Sequence, residues 1–169
     1  IVTYLAAKAL GSQNVSVVLL PSIYSSEGSI TDSLQLINNL GIKYDKISIQ
    51  PIVDEITDSL KNIFRDLPND ITEENIQSRT RGLILMALSN KFKSLLLTTG
   101  NKSEIAVGYA TLYGDMCGGL AVIGDVYKTD IYRLANYINR YGEVIPYSII
   151  RKAPSAELRF NQTDQDSLP

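Results

Sequence analysis

A chain of 169 residues, 44% apolar and 20% charged, has the material for one folded domain with a core. Its formal net charge of −2 offers no basic field to nucleic acid, no apolar run approaches membrane-spanning length, and one cysteine, Cys117, precludes an internal disulfide. It contains no histidine, which excludes any serine, cysteine or zinc mechanism that draws an imidazole from these residues.

Residues 1–10 (IVTYLAAKAL) read as a helix closed by Gly11; it has no N-cap, so the chain is expected to start inside it. Residues 15–20 (VSVVLL) form a valine-rich run suited to a buried parallel strand. A polar loop spans 21–28, and Ser29 or Thr31 can cap a helix that runs to Leu40 and stops at Gly41. Residues 44–49 (YDKISI) predict a second strand, and Pro51 opens a short helix to about Phe64. After a loop at 66–71, Thr72, Glu73 and Glu74 begin the strongest helix, with a cap and acids at its positive end. Residues 94–98 (SLLLT) predict a third strand, and Asn101 opens a helix to about Ala110. A glycine-rich loop at 113–124 and an amphipathic helix at 128–140 follow. Residues 153–169 turn polar and are expected to be a mobile loop.

Strands alternating with helices point to an open, doubly wound α/β sheet, parallel, with helices on both faces. Ligands in such sheets sit beyond the carboxyl ends of the strands, here 21–28, 50–51 and 98–104. The densest signal is 95–104 (LLLTTGNKSE): a strand ends at a helix start, where backbone N–H groups favour an anion. Thr99 offers a hydroxyl to a phosphate or ribose, and Glu104 a carboxylate to Mg²⁺ or a sugar; Asn101 and Glu104 equally fit a capping box. In 75–81 (NIQSRTR), Asn75 and Arg79 share a helix face and could reach one ligand, or that face is simply solvated. In the glycine-rich loop, Asp115 could bind a cation or accept a proton, whereas Cys117 has no evident base and reads as a packed residue. Lys128 stands where the helix dipole disfavours a cation, which a phosphate clamp would explain, as would plain solvation. Ser155 could be a cap or a ligand hydroxyl.

The stretches TEENIQSRTRG, LLLTTGNKSEIAVGYATLYGDMCGGLAVIGDVYKT and KAPSAELRFNQTDQDSLP, in this order over nearly the whole chain, resemble the NAD⁺ synthetases, members of the N-type ATP pyrophosphatases. The resemblance implies an adenine nucleotide alpha hydrolase-like fold and ATP-dependent amidation of deamido-NAD⁺ (nicotinic acid adenine dinucleotide) to NAD⁺ through an acyl-adenylate. It implies ATP contacts from Thr99, Lys128 and Ser155. Asn75, Arg79 and 109–112, with Tyr109 and Leu112, would line the deamido-NAD⁺ site. Glu104 would bind Mg²⁺ or the dinucleotide, and Asp115 would lie at the ammonia entry, making Asp115 and Lys128 the catalytic pair. The tail from Ser155 would close over the nucleotides, and a cytoplasmic homodimer with the dinucleotide near its interface is implied.

Two departures stand out. The family's SGGxDS phosphate loop is absent, so residues 1–169 are expected to be a synthetase domain truncated at the N-terminus and also at the C-terminus, inactive alone. Leu112 stands where small ammonia-dependent members carry a lysine, so TLYGDM resembles the glutamine-dependent members, with glutamine rather than free ammonia as nitrogen source. Rival readings are another ATP pyrophosphatase, GMP synthetase-like or tRNA-thiolating, and a nucleotide sensor without catalysis. The dinucleotide-lining stretches and the lack of basic charge count against the first, and the uncapped start against the second.

Overall fold

The computed structural model describes residues 1–164; the end of the predicted mobile tail, 165–169, lies outside the described residues. Helix α1 (Val2–Leu10) leads to strand β1 (Ser16–Leu19), and helix α2 (Glu27–Leu40) carries the chain to strand β2 (Lys43–Lys46). The strands are parallel, with Ser16 opposite Lys43 and Leu19 opposite Lys46. A parallel pair needs a crossover, and α2 supplies it. Its end is set by Gly41, which sits left-handed at φ 63°, ψ 39° and donates to Ile37 and Asn38. The core here is Ala7, Ile37 and Ile42, packed against Val15, Val17, Leu19 and Leu40. Alternating apolar residues of β1 thus meet one stripe of α2.

Helices α3 (Gln50–Phe64) and α4 (Ile71–Phe92) follow, then strand β3 (Leu97–Thr98), helix α5 (Lys102–Ala106) and strand β4 (Leu120–Ala121). β3 and β4 are also parallel, Leu97 opposite Leu120 and Thr98 opposite Ala121. Helix α6 (Lys128–Ile138) passes through a 3₁₀ turn at Asn139–Tyr141 to helix α7 (Tyr147–Arg151). The expected α/β class with parallel pairing is what the chain adopts, and the described residues hydrogen-bond as two two-stranded units.

Several boundaries move for local reasons. Ser26, not Ser29 or Thr31, caps α2 and accepts from the Ser29 N–H, so the preceding loop is shorter. Asp70, not Thr72, caps α4 in a full capping box with Glu73. β2 ends at Lys46, yet the Ile47 and Ile49 amides still donate to the Leu19 and Pro21 carbonyls, so pairing reaches the predicted end in looser form. α5 stops at Ala106 rather than about Ala110. β4 and α7 were not foreseen. β4 has only two residues, and its extended form comes from pairing with β3.

Candidate functional site

The carboxyl ends of β1 and β3 open on one cavity of about 640 Å³, where the topology of an open α/β sheet puts ligands. Asn75, Thr99, Glu104, Tyr109, Asp115, Lys128 and Ser155 all line it. Of the predicted strand-end loops, the stretches after β1 and β3 reach the cavity, and 50–51 does not.

At one end stands Lys128, first residue of α6. Its backbone N–H donates to Ser103 Oγ (3.0 Å) and the Lys102 N–H to the Val126 carbonyl (3.0 Å), which ties α6 to α5. Its Nζ lies 2.8 Å from Asp164 Oδ2 and 3.5 Å from Glu104 Oε1. These carboxylates offset the unfavourable place of a cation at a helix N-terminus. Burial works against the ammonium, but the bonded Asp164, with Glu104 and Tyr132 nearby, outweighs it and raises the Lys128 pKa. Glu104 has two tasks: Oε2 accepts from the Asn101 N–H (3.0 Å), completing the capping box, while Oε1 faces Lys128. Cap and site therefore coexist on one side chain. A single carboxylate oxygen suits a Mg²⁺ that keeps water and phosphate as most of its shell. Among the described residues no group of three or more acids, cysteines or histidines gathers to cage a metal.

Helix α4 forms the opposite wall through Ile71, Glu74, Asn75, Ser78 and Arg81, a stripe at helical spacing. Asn75 Oδ1 accepts from Thr111 Oγ1 (2.8 Å). Asp115 Oδ1 accepts from the Thr111 N–H (2.8 Å) and Ser78 Oγ (3.1 Å), so this acid orders its own loop as well as lining the cavity. Close approach of that loop to α4 requires Gly82, where a Cβ would stand 2.8 Å from the Tyr113 carbonyl oxygen. Arg79 and Leu112 do not join the others. Arg79 is about 100° round the helix from Ser78; it is exposed and donates through Nε to the Leu112 carbonyl (3.2 Å), outside the cavity.

The segment 153–164 lies over the cavity, where Pro154, Ser155, Ala156, Glu157, Leu158 and Asp164 line it, and it bonds to elements remote in sequence. Ser155 Oγ donates to the Gln162 carbonyl (2.6 Å) and accepts from the Glu157 N–H (3.1 Å). Gln77 Nε2 donates to the Leu158 carbonyl (2.8 Å), Asp164 meets Lys128, and Glu157 is bonded to Ser26 and Ser29. Tyr24 and Phe160 stack edge-on at 4.8 Å.

Sequence reasoning missed Arg81, Glu157 and Asp164. Arg81 lies two residues after Arg79, about 200° round the helix, and faces the cavity; its Nε donates to the Leu20 carbonyl (3.0 Å). Burial lowers its pKa, against the pull of Glu157. The periodicity of 71, 74, 75, 78 and 81 was the available signal. Glu157 and Asp164 had none, since each is identified only by what it meets.

The chain matches the NAD synthase family over residues 1–169. It is 55% identical over 171 residues to a glutamine-dependent NAD(+) synthetase of Thermotoga maritima, covering 100% of this chain and 30% of that protein. A glutamine-dependent NAD⁺ synthetase of Acinetobacter baumannii, solved with ADP, superposes with a TM-score of 0.87 at 43% identity, over 93% of this chain and 30% of that one. An NMN synthetase of Francisella tularensis gives a TM-score of 0.84 at 27% identity, over 97% of this chain and 65% of that one. The chain thus spans about 30% of the length of the curated relative it matches, and it belongs to the NAD synthase family.

Proposed function

We propose that this chain forms the nucleotide site of an NAD⁺ synthetase that amidates deamido-NAD⁺ at the expense of ATP, with glutamine as the nitrogen source. The observation that carries the reading is the cavity itself. Segments far apart in sequence bring Lys128, Glu104 and Tyr109 together around Asp164, and Thr99 to the same cavity, with Asn75 and Asp115 on the α4 side and Ser155 in the covering segment. Its volume of about 640 Å³ accommodates a nucleotide-sized ligand. The glutamine-dependent relatives support the nitrogen source.

A carboxylate is a poor acyl donor, so the nicotinate oxygen attacks the α-phosphorus of ATP, pyrophosphate leaves, and an acyl-adenylate forms. Ammonia then attacks the acyl carbon, AMP leaves and the amide results. Lys128 neutralises charge that develops on the phosphates and Thr99 places a hydroxyl on them, while Ser155 donates to a phosphate by exchanging the bond it gives the Gln162 carbonyl. Glu104 Oε1 would hold Mg²⁺, which adds positive charge at the phosphates when bound. Asp115 accepts the proton that ammonium must lose. The anchored segment 153–164 keeps water from the adenylate. Arg79, outside the cavity, contacts the dinucleotide where a second subunit closes the site. Exposed Leu83, Leu112 and Tyr113 beside it supply the apolar face such a homodimer would cover.

The test is full-length protein with ATP, Mg²⁺ and deamido-NAD⁺, supplied with glutamine or with ammonium, following pyrophosphate and NAD⁺. The expected result is NAD⁺ formation dependent on ATP and supported by glutamine. Turnover of nicotinate mononucleotide with none of the dinucleotide would overturn the substrate, and ammonium without glutamine use would overturn the nitrogen source.

A further inference from the structure

We propose that Glu157 is a positioning residue: its carboxylate clamps the segment 153–164 to the first turn of α2 and thereby sets where Ser155 stands over the cavity. Oε1 accepts from Ser26 Oγ (2.7 Å), Ser29 Oγ (2.8 Å) and Lys152 Nζ (2.7 Å), and Oε2 accepts from the Ser26 N–H (3.1 Å). The serines lie about 130 residues upstream, at separations of 131 and 128, so the clamp joins the end of the described chain to its first crossover helix. A carboxylate at the N-terminus of a helix of 14 residues also gains from the helix dipole.

The backbone gives independent support. Glu157 is held at φ 51°, a left-handed conformation that costs a glutamate free energy and persists only where the surroundings over-determine it. That turn aims the Glu157 N–H at Ser155 Oγ (3.1 Å) while the side chain reaches α2. One residue therefore fixes both the anchor and the hydroxyl. Burial would raise its pKa, but bonds from Lys152, Ser26 and Ser29 prevail and hold it at about 2, so the clamp stays charged at neutral pH. Arg81, on the cavity wall, feels the same carboxylate.

The effect on ATP rests on the proposed nucleotide site; the clamp itself does not. The experiment uses full-length protein with Glu157→Ala and Glu157→Gln, read by trypsin cleavage after Arg159 and by KM and kcat for ATP. Arg159 lies in the clamped segment with its side chain half exposed, so opening limits its cleavage. Loss of these charge-assisted bonds should speed nicking about tenfold or more, with Glu157→Gln intermediate because it keeps an acceptor. KM for ATP should rise about tenfold, with kcat changed less, because Ser155 is no longer held in place. If Glu157→Ala does not fold, Ser29→Ala removes one of the clamp's donors and should speed nicking in the same direction. Nicking at the parental rate in a folded variant overturns the clamp, and faster nicking with an unchanged KM overturns the positioning role. Thr99→Ala, which makes no hydrogen bond to the described part of the segment, runs alongside. If it leaves ATP use unchanged, the nucleotide reading fails, and the clamp stands or falls on nicking alone.

Discussion

Replacing Lys128 by alanine should cost both stability and the first chemical step, by amounts the geometry bounds. Lys128 is the ammonium 2.8 Å from Asp164 Oδ2, and the Asp164 side chain is only 6% exposed. Its removal leaves a buried carboxylate that keeps, among the described residues, a bond from Tyr109 Oη at 3.4 Å. Breaking a wholly buried pair costs about 3–5 kcal/mol, but the Lys128 side chain is 29% exposed and water can replace part of it. A loss of about 2 kcal/mol follows, in the range of a charge-assisted hydrogen bond. Asp164→Asn added to Lys128→Ala removes the stranded charge and should recover most of that loss, a coupling that a double-mutant cycle reads directly. The pH dependence has a fixed sign. Because the Lys128 pKa is raised in the folded protein, its contribution is full below the unfolded value and is lost as pH rises through the folded one. Lys128→Ala should therefore flatten the alkaline limb of the stability curve. In single-turnover kinetics on full-length protein, pyrophosphate release should slow by about 10²–10³, as on losing an electrostatic contact to the transition state, with ammonia attack on preformed adenylate little changed. Pyrophosphate release at the parental rate, with only amide formation slowed, would refute the phosphate role.

Glu104→Gln keeps an acceptor for the Asn101 N–H, so the melting temperature should hardly move, while activity falls through loss of the carboxylate charge that faces Lys128 and is proposed to hold Mg²⁺; stability loss with activity per folded molecule intact would leave Glu104 a cap alone. Arg79→Ala removes an exposed side chain bonded to one carbonyl and should change stability by less than about 0.5 kcal/mol. It should raise KM for deamido-NAD⁺, and an unchanged KM removes Arg79 from the site. Gly82→Ala pushes a methyl against the Tyr113 carbonyl and should cost about 1–3 kcal/mol in denaturant unfolding; a neutral result would mean that α4 and the 113–117 loop are not in close contact in solution.

What sequence determined by itself was local or compositional. The absence of histidine from these residues leaves them carboxylates, lysine, arginine, hydroxyls, backbone N–H groups and a hard metal ion with which to work. The Asn101–Glu104 capping box, the Gly41 stop and the Pro51 helix start all depend on neighbours a few residues away, and all are present. The strand–helix alternation sufficed for a parallel α/β fold because each crossover is short. The Asp70 capping box is equally local, whereas tertiary structure decided that Ser26, bonded to Glu157 from 131 residues away, sits at the start of α2, and that two residues at 120–121 become a strand by pairing with β3. It also decided which face of α4 meets the cavity, so that Arg81 turns inward and Arg79 outward. The polar stretch 153–164 carries no local signal of the partners it meets. Glu157 finds Ser26 and Ser29, and Asp164 finds Lys128, at separations of 131, 128 and 36 residues. A carboxylate's local neighbours do not encode such a partner, because the pairing exists only once the core has brought distant surfaces together.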